Sequence, residues 1–199
     1  MKHKTVLPSD MDQWVLAVLG DGGVGKTALA YQFTLGCFVE TYDPTLEDGY
    51  CKQFMLDNRM CFVEFTDKGD NEYGQLRDQW VRAGHGFALV YSVVSRSSFD
   101  RLDILLQSVR RLKTETAKLI LVGNKSDLNA NEREVLEEEV SALARQWGCE
   151  FFETSAKTGQ NVEPTFLVLI RTLRAAKDPA SPAKTQQKSK AFRPTCIIL

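Results

Sequence analysis

The chain has 199 residues, of which 43% are hydrophobic and 26% are charged, and its formal net charge is −1. This size and composition are ordinary for one globular domain with a sizeable core, and the near-neutral charge gives no field that would favour nucleic acid. The five cysteines are odd in number and lack paired spacing, which argues against a disulfide framework or a zinc site and favours a reducing cytoplasm.

Short apolar runs alternate with amphipathic segments after a polar lead-in over residues 1–12, which we expect to be flexible. The first half of the chain predicts a strand at Trp14–Leu19, a helix at Ala28–Phe33, strands at Tyr50–Leu56 and Met60–Phe65 joined by a turn at Asp57–Arg59, and a helix at Tyr73–Arg82. The second half predicts a strand at Phe87–Val93, a helix capped within Ser97–Asp100 and running to Lys113, a strand at Leu119–Val122, a helix at Val135–Trp147, a strand at Glu150–Glu153 and a helix at Val162–Ala175.

This alternation of strands and helices predicts one α/β domain over residues 13–176. We expect a mainly parallel six-stranded sheet with helices on both faces and one antiparallel strand, which comes from the early hairpin. A continuous apolar run such as Phe87–Val93 is typical of a parallel strand buried on both faces. Pro, Ser, Lys and Gln dominate from residue 177 onward, so residues 177–199 are predicted to form a disordered basic tail.

A glycine-rich segment, Gly20–Thr27, lies between the first strand and the first helix and reads GDGGVGKT. It matches the phosphate-loop pattern G-x-x-x-x-G-K-[ST] in the strand–loop–helix context that the pattern requires, which predicts a P-loop NTPase fold. Glycines let backbone N–H groups turn inward around phosphate oxygens, and the helix N-terminus adds its dipole. Lys26 would reach the β- and γ-phosphates, and the Thr27 hydroxyl would bind Mg²⁺.

A phosphate loop alone does not distinguish ATP from GTP. Two further segments of the sequence predict which nucleotide base is bound. Asn124–Asp127 reads NKSD and follows a predicted strand, at the edge where open α/β sheets bind ligands. The Asp127 carboxylate would accept hydrogen bonds from N1–H and N2 of guanine, and the Lys125 stem would lie along the base. Taken alone, the tetrapeptide NKSD is as often an ordinary solvated turn as a base-binding segment. Thr154–Lys157 reads TSAK, and its Ala156 N–H would donate to guanine O6.

Together these segments resemble the Ras-like small GTPases, closest to the Ras and Rap branch. The resemblance covers about residues 13–175 and the C-terminal tail, through GDGGVGKT, FVETYDPTLEDGY, NKSD, ETSAK and a final CIIL in the order of that family. It implies a small monomeric GTPase that binds GTP or GDP with Mg²⁺ and acts as a molecular switch in signal transduction.

The resemblance also implies roles for individual residues. Thr27, Thr45 and Asp67 are the expected Mg²⁺ ligands, and Lys26, Thr45, Gly69 and Asn71 are the expected catalytic residues. The expected nucleotide contacts are Gly20, Asp21, Gly22, Gly23, Val24, Gly25, Lys26, Thr27, Ala28, Phe38, Val39, Glu40, Tyr42, Thr45, Asn124, Lys125, Asp127, Leu128, Ser155, Ala156 and Lys157. The expected effector region is Tyr42, Asp43, Pro44, Thr45, Leu46, Glu47, Asp48, Gly49 and Tyr50.

The second switch segment departs from the family pattern. Most members read D-T-A-G-Q-E, whereas this chain reads D-K-G-D-N-E from Asp67 and is one residue short before Tyr73. The glycine N–H is the second γ-phosphate sensor in the family and the glutamine orients the attacking water, and no glutamine stands at that site here. We expect GTP to be bound but hydrolysed poorly. Two milder interpretations are that Gly69 and Asn71 partly replace the missing residues, and that the deletion has little effect.

The C-terminal residues predict attachment to a membrane surface. Cys196 is fourth from the end and precedes two isoleucines and a leucine, which is the prenylation pattern and favours geranylgeranyl over farnesyl. One lipid anchors weakly, and the tail from residue 177 carries a net charge of +4 that would supply the second signal. No apolar run approaches the ~20 residues of a spanning helix, and no secretory signal follows the N-terminus.

The sequence therefore predicts a membrane-anchored switch at the cytoplasmic face of the plasma membrane. Its expected partners are an exchange factor, a GTPase-activating protein whose effect is in doubt, and effectors with Ras-binding-type domains. Two alternatives remain open. A GTP-loaded membrane scaffold with little turnover is favoured by the altered second switch, whereas a P-loop kinase conflicts with NKSD and would require preference for ATP.

Overall fold

Six strands form one sheet in the computed structural model, which describes residues 11–39, 50–66, 74–113 and 117–178, with only the backbone of 74–77. They are β1 (Asp12–Gly20), β2 (Tyr50–Leu56), β3 (Arg59–Thr66), β4 (Gly86–Ser92), β5 (Lys118–Asn124) and β6 (Glu150–Glu153). Their order across the sheet is β2-β3-β1-β4-β5-β6. Because β2 alone pairs antiparallel with its neighbour, the prediction of a mainly parallel six-stranded sheet is confirmed.

Helices cover both faces of this sheet. They are α1 (Lys26–Leu35), α2 (Gly74–Ala83), α3 (Arg96–Asp100), α4 (Leu102–Lys113), α5 (Glu137–Trp147) and α6 (Val162–Lys177), with a short 3-10 turn at Ala130–Glu132. One buried cluster joins α1 and α6 to the sheet, and a second joins α2, α4 and α5 to the opposite face. Within β4, Ala88 and Val90 face the first cluster while Phe87, Leu89 and Tyr91 face the second. The alternation shows why the run is apolar at every position.

The hairpin between β2 and β3 turns on two residues, Asp57 and Asn58. Both have positive φ angles, 50° and 64°. This is the mirror-image turn whose twist matches that of the strands, and Asp and Asn tolerate the left-handed conformation better than other residues with side chains. The predicted turn is therefore confirmed, although Arg59 belongs to β3.

Two helices, rather than one, follow β4, and the predicted cap within Ser97–Asp100 is wrong. Ser95 is the N-cap, and its hydroxyl accepts from the Ser98 N–H at 3.4 Å. The Ser98 hydroxyl is instead buried, where it donates to the Ser95 carbonyl at 2.7 Å and accepts from the Ser92 N–H at 3.0 Å. Arg101 separates α3 from α4. Several serines in a row make the first helical residue ambiguous in sequence, and the buried contact to β4 resolves it.

The start of α5 also differs from the prediction, at Glu137 rather than Val135. Val135 is fully buried, and its N–H donates to the Val93 carbonyl at 3.2 Å, which keeps it outside the helix. Three glutamates then occupy the first turn of α5, where a negative charge is favourable.

A buried ion pair fastens the last helix to the first strand. Arg174 of α6 donates from Nε to Asp12 at 2.6 Å and from Nη1 to the Leu56 carbonyl at 2.9 Å. These contacts lie where β1 begins. The C-terminus of α6 is therefore at the end of the sheet opposite the carboxyl ends of β1 and β5. Among the described residues, no helix combines the length and hydrophobicity needed to cross a bilayer.

Candidate functional site

The segment Gly20–Thr27 joins the carboxyl end of β1 to α1. Gly23 and Gly25 have φ angles of 70° and 96°, which residues with a Cβ rarely adopt. Gly25 is the N-cap of α1 and no side chain caps this helix. The first-turn N–H groups of α1 therefore lack intrahelical acceptors and face the loop, an arrangement that suits an anion.

Lys26 lies over this loop. Its Nζ donates to the main-chain carbonyl of Asp21 at 2.8 Å, so the Lys26 side chain extends across the loop from α1 to the residue that follows β1. Thr27, the next residue, is half-buried in the first turn of α1. The predicted phosphate-binding and Mg²⁺-binding side chains of this segment thus start from one rigid helix N-terminus.

Asn124, the last residue of β5, connects three segments and is only 1% exposed. Its Nδ2 donates to the Val24 carbonyl of the phosphate loop at 2.9 Å. Its Oδ1 accepts from the Ala156 N–H at 3.1 Å and from the Thr154 hydroxyl at 3.4 Å. A Cβ on Gly25 would lie 2.4 Å from the Asn124 amide nitrogen, so close approach explains that glycine as well. Asn124 therefore holds the loop and TSAK in fixed relation rather than serving as a surface contact.

The remaining NKSD residues turn outward from this buried asparagine. Lys125 adopts a positive φ of 68°, and the Leu128 N–H donates to the Lys125 carbonyl at 3.2 Å. The Ser126 N–H donates to the Thr154 carbonyl at 3.0 Å, which ties this turn to the neighbouring loop. Asp127 and Leu128 are exposed. The left-handed Lys125 makes this sharp turn away from β5 possible.

The loop after β6 is closed by its own hydrogen bonds. The buried Ser155 donates its N–H to the Gln160 carbonyl at 3.1 Å and accepts at its hydroxyl from the Thr158 N–H at 3.0 Å. Lys157 is exposed. Because the Ala156 N–H already donates to Asn124, the predicted bond to guanine O6 would be the second branch of a shared hydrogen bond.

An ion pair supports the strand from which this loop leaves. Arg133 donates to both carboxylate oxygens of Glu153, at 2.6 and 2.9 Å. The hydrogen bonding of Arg133 to Glu153 is the largest cause of the raised pKa of Arg133, so the guanidinium stays charged. Glu153 is thereby held immediately before Thr154.

Gln32 on α1 is a site residue that the sequence analysis missed. With its side-chain amide turned so that nitrogen faces the nearby carbonyls, it donates to Ala156 and to Cys37, each at 3.1 Å. It thus links the TSAK loop to the segment that leads into Phe38. A lone helical glutamine carries no sequence signal for such a bridge.

Phe38 and Val39 follow Cys37 and are 38% and 48% exposed. Phe38 therefore has exposed apolar surface, and its packing against guanine stays a prediction. Tyr50 begins β2, is half-buried, and lies 4.7 Å from the Tyr31 ring between centroids.

Several predicted residues lie outside the part of the chain that the structure describes. They are Glu40, Tyr42, Asp43, Pro44, Thr45, Leu46, Glu47, Asp48 and Gly49 of the first switch, Asp67, Gly69 and Asn71 of the second, and Cys196. Of the three expected Mg²⁺ ligands, Thr27 alone is described. The roles of the residues outside the described part therefore remain predictions from the sequence.

Comparisons with known proteins indicate one family. A model of the Ras family matches residues 15–175. Ras-like protein 1 of Pyricularia oryzae is 49% identical over 186 residues, which cover 83% of this chain and 77% of that protein. Protein ras-2 of Neurospora crassa is 43% identical over 92% of this chain and 96% of its own length, and Ras-like protein B of Aspergillus fumigatus is 42% identical over 93% and 86%.

Proposed function

Because this chain belongs to the Ras family of small GTPases, we propose that it is a guanine-nucleotide switch at the cytoplasmic face of the plasma membrane with slow GTP hydrolysis. As a Ras-like small GTPase it is a GTP-binding signalling protein that hydrolyses GTP to GDP. The membrane, the slow rate and the individual residue roles are the new parts of the proposal.

The main observation in support of a nucleotide site is that Asn124 bonds both the phosphate loop and the TSAK loop. In this arrangement the loop N–H groups and Lys26 bind the phosphates. Asp127 accepts from guanine N1–H and N2, and adenine would leave that carboxylate without a donor. Thr27, together with Thr45 and Asp67, would hold Mg²⁺, which reduces the charge repulsion among phosphate oxygens when bound.

The second switch supports slow hydrolysis. Family members place a glycine N–H against the γ-phosphate and a glutamine beside the attacking water, whereas the segment after Asp67 is one residue short and has no glutamine there. By the family pattern Asp70 or Asn71 would stand at this site instead, and a carboxylate close to a γ-phosphate is electrostatically unfavourable. A GTP-loaded scaffold that recruits effectors with little turnover is the second candidate, and the same segment favours it.

Nucleotide analysis tests the proposal directly. The purified protein is denatured and its bound nucleotide identified by chromatography, and single-turnover hydrolysis is then followed after GTP loading. A matched variant replaces Lys68–Asn71 with Thr-Ala-Gly-Gln-Glu, which restores the family's length, glycine and glutamine. We expect guanine nucleotide in both proteins and hydrolysis about tenfold or more faster in the variant. Equal rates would contradict slow hydrolysis, ATP in place of guanine nucleotide would contradict the switch, and GTP retained unhydrolysed favours the scaffold.

Partners follow from family membership in general terms: an exchange factor, a GTPase-activating protein and effectors. We assign effector binding to residues 42–50, which end at the first residue of the edge strand β2, because an edge strand can pair with a strand of a partner. Gly22 is exposed in the phosphate loop and would leave room for an arginine of the activating protein. The basic tail and a prenyl group on Cys196, geranylgeranyl or farnesyl, would hold the protein on anionic lipid.

A further inference from the structure

An ion pair links the phosphate loop to the junction between α3 and α4. Arg101 donates from Nη1 to Oδ1 of Asp21 at 2.7 Å, although the two residues are 80 positions apart. The Asp21 side chain is 28% exposed and that of Arg101 is 64% exposed. The contact therefore joins two elements that no sequence motif connects.

Asp21 brings a negative charge to a place that must accept anions. It is the first residue of the phosphate loop after β1, and its own carbonyl lies 2.8 Å from the Lys26 ammonium. A carboxylate on that residue opposes the binding of phosphate oxygens by like-charge repulsion. It also offsets part of the attraction that the Lys26 charge exerts on them. The Arg101 guanidinium offsets this charge without occupying the loop itself.

The local structure leaves Arg101 available for Asp21. The preceding acid, Asp100, is paired with Arg96 at 3.1 Å within α3. Arg101 interrupts the two helices, and its N–H bonds to the Phe99 carbonyl, which places the side chain at the turn rather than along a helix face. The break between α3 and α4, which the sequence analysis did not predict, thus places this cation next to the loop.

We propose that Arg101 is a positioning residue that neutralises Asp21 and thereby raises the affinity of the phosphate loop for guanine nucleotides, GTP more than GDP. This inference rests on the proposed nucleotide-binding function. The gain increases with the number of phosphate charges and decreases with salt, because both residues are partly exposed and their interaction is screened.

The test measures the affinity of Asp21→Asn, Arg101→Ala and the double variant for GDP and for a non-hydrolysable GTP analogue, at low and high potassium chloride. Arg101→Ala should weaken the analogue about three- to tenfold and GDP less, with a smaller loss at high salt. Asp21→Asn should tighten binding, and in the double variant it should remove the loss caused by Arg101→Ala. The matched control is Arg110→Ala, which changes an exposed arginine within α4 and should bind as the wild type does.

Three outcomes overturn the inference. If the Arg101→Ala variant has the same nucleotide affinity as the Arg110→Ala variant, the ion pair has no influence on nucleotide binding. Asp21→Asn that weakens binding as much as Arg101→Ala shows a tether whose charge is irrelevant. A wild-type protein that binds neither nucleotide rejects the proposed function and the inference with it. Arg101→Gln repeats the series if thermal unfolding shows that Arg101→Ala is not folded.

Discussion

Asn124 Nδ2 donates to the carbonyl oxygen of Val24 at 2.9 Å, across 100 positions of the chain. The same side chain accepts from the Ala156 N–H, so one buried residue of NKSD links the glycine-rich loop to the TSAK loop. A nucleotide bound at the proposed phosphate and base sites together would need them at a constant separation, which these hydrogen bonds favour.

The first prediction concerns this connection. Asn124→Ala removes the donor to Val24 and leaves the buried Ala156 N–H and Thr154 hydroxyl without their acceptor. We expect a loss of about 2–3 kcal/mol in the free energy of unfolding and markedly faster GDP dissociation. Urea denaturation and fluorescent-GDP release measure the two effects. The control is Asn129→Ala, because Asn129 is exposed and its side chain caps nothing. Wild-type GDP release in Asn124→Ala would contradict the bridging role.

Gln32 provides the second prediction. Gln32→Leu removes the donors to the Ala156 and Cys37 carbonyls while keeping the side chain's bulk, so the TSAK loop and the segment before Phe38 lose their common support. Two hydrogen bonds of ordinary strength correspond to GDP dissociation about tenfold faster. The same release assay measures it, with Gln107→Leu on the exposed face of α4 as the control. If both variants release GDP at the wild-type rate, Gln32 has no role at the site.

The third prediction concerns pH and His85. Its Nδ1 accepts from the Val15 N–H at 2.9 Å, which requires the neutral ring. Partial burial lowers the pKa of His85 from 6.5, and the charges of Lys113 and Lys177 lower it further, while the Trp14 ring covers one edge. The unfolded chain therefore binds the proton more readily. The contribution of His85 is complete above pH 6.5 and is lost as pH falls from 6.5 through the lowered pKa.

Urea denaturation at several pH values from 7.5 to 5 tests this expectation. His85→Asn keeps an acceptor near the position of Nδ1 but cannot take up a proton in this range. The wild type should lose stability relative to His85→Asn on acidification, whereas parallel profiles would show that His85 does not titrate differently in the folded and unfolded states. His3 is present in both proteins, so its titration cancels in the difference.

Membrane attachment supplies the fourth prediction. Cys196→Ser removes the only thiol that the C-terminal prenylation pattern can modify, and the basic tail alone should not retain the protein. Cell fractionation should find the variant in the soluble fraction, and mass spectrometry should find no prenyl group. Cys51→Ser, which changes an exposed free cysteine of β2, is the matched control and should stay on membranes. Continued membrane binding of Cys196→Ser would show that another element is the anchor.

Local patterns carried much of the prediction. Strands such as Phe87–Val93, the Asp57–Asn58 turn and the glycine-rich loop were recognisable because each depends on neighbouring residues. The signals are a continuous apolar run for a strand buried on both faces, the backbone freedom of a turn, and the absence of a Cβ beside an anion. The order of motifs then indicated the family. The altered second switch is likewise a property of the sequence, because a missing residue and a missing glutamine are visible in the letters alone.

Only the tertiary structure decided how distant residues meet. Asn124 in the sequence is the first letter of a base-recognition motif, yet in the fold it is a buried bridge to Val24 and Ala156. Gln32, the Ser95 cap and the pairing of Arg101 with Asp21 have no sequence signature, because each depends on the path of a loop or on the packing of a helix against the sheet. The Asn124–Val24 contact joins residues 100 positions apart, and such hydrogen bonds exist only after the core has placed both partners.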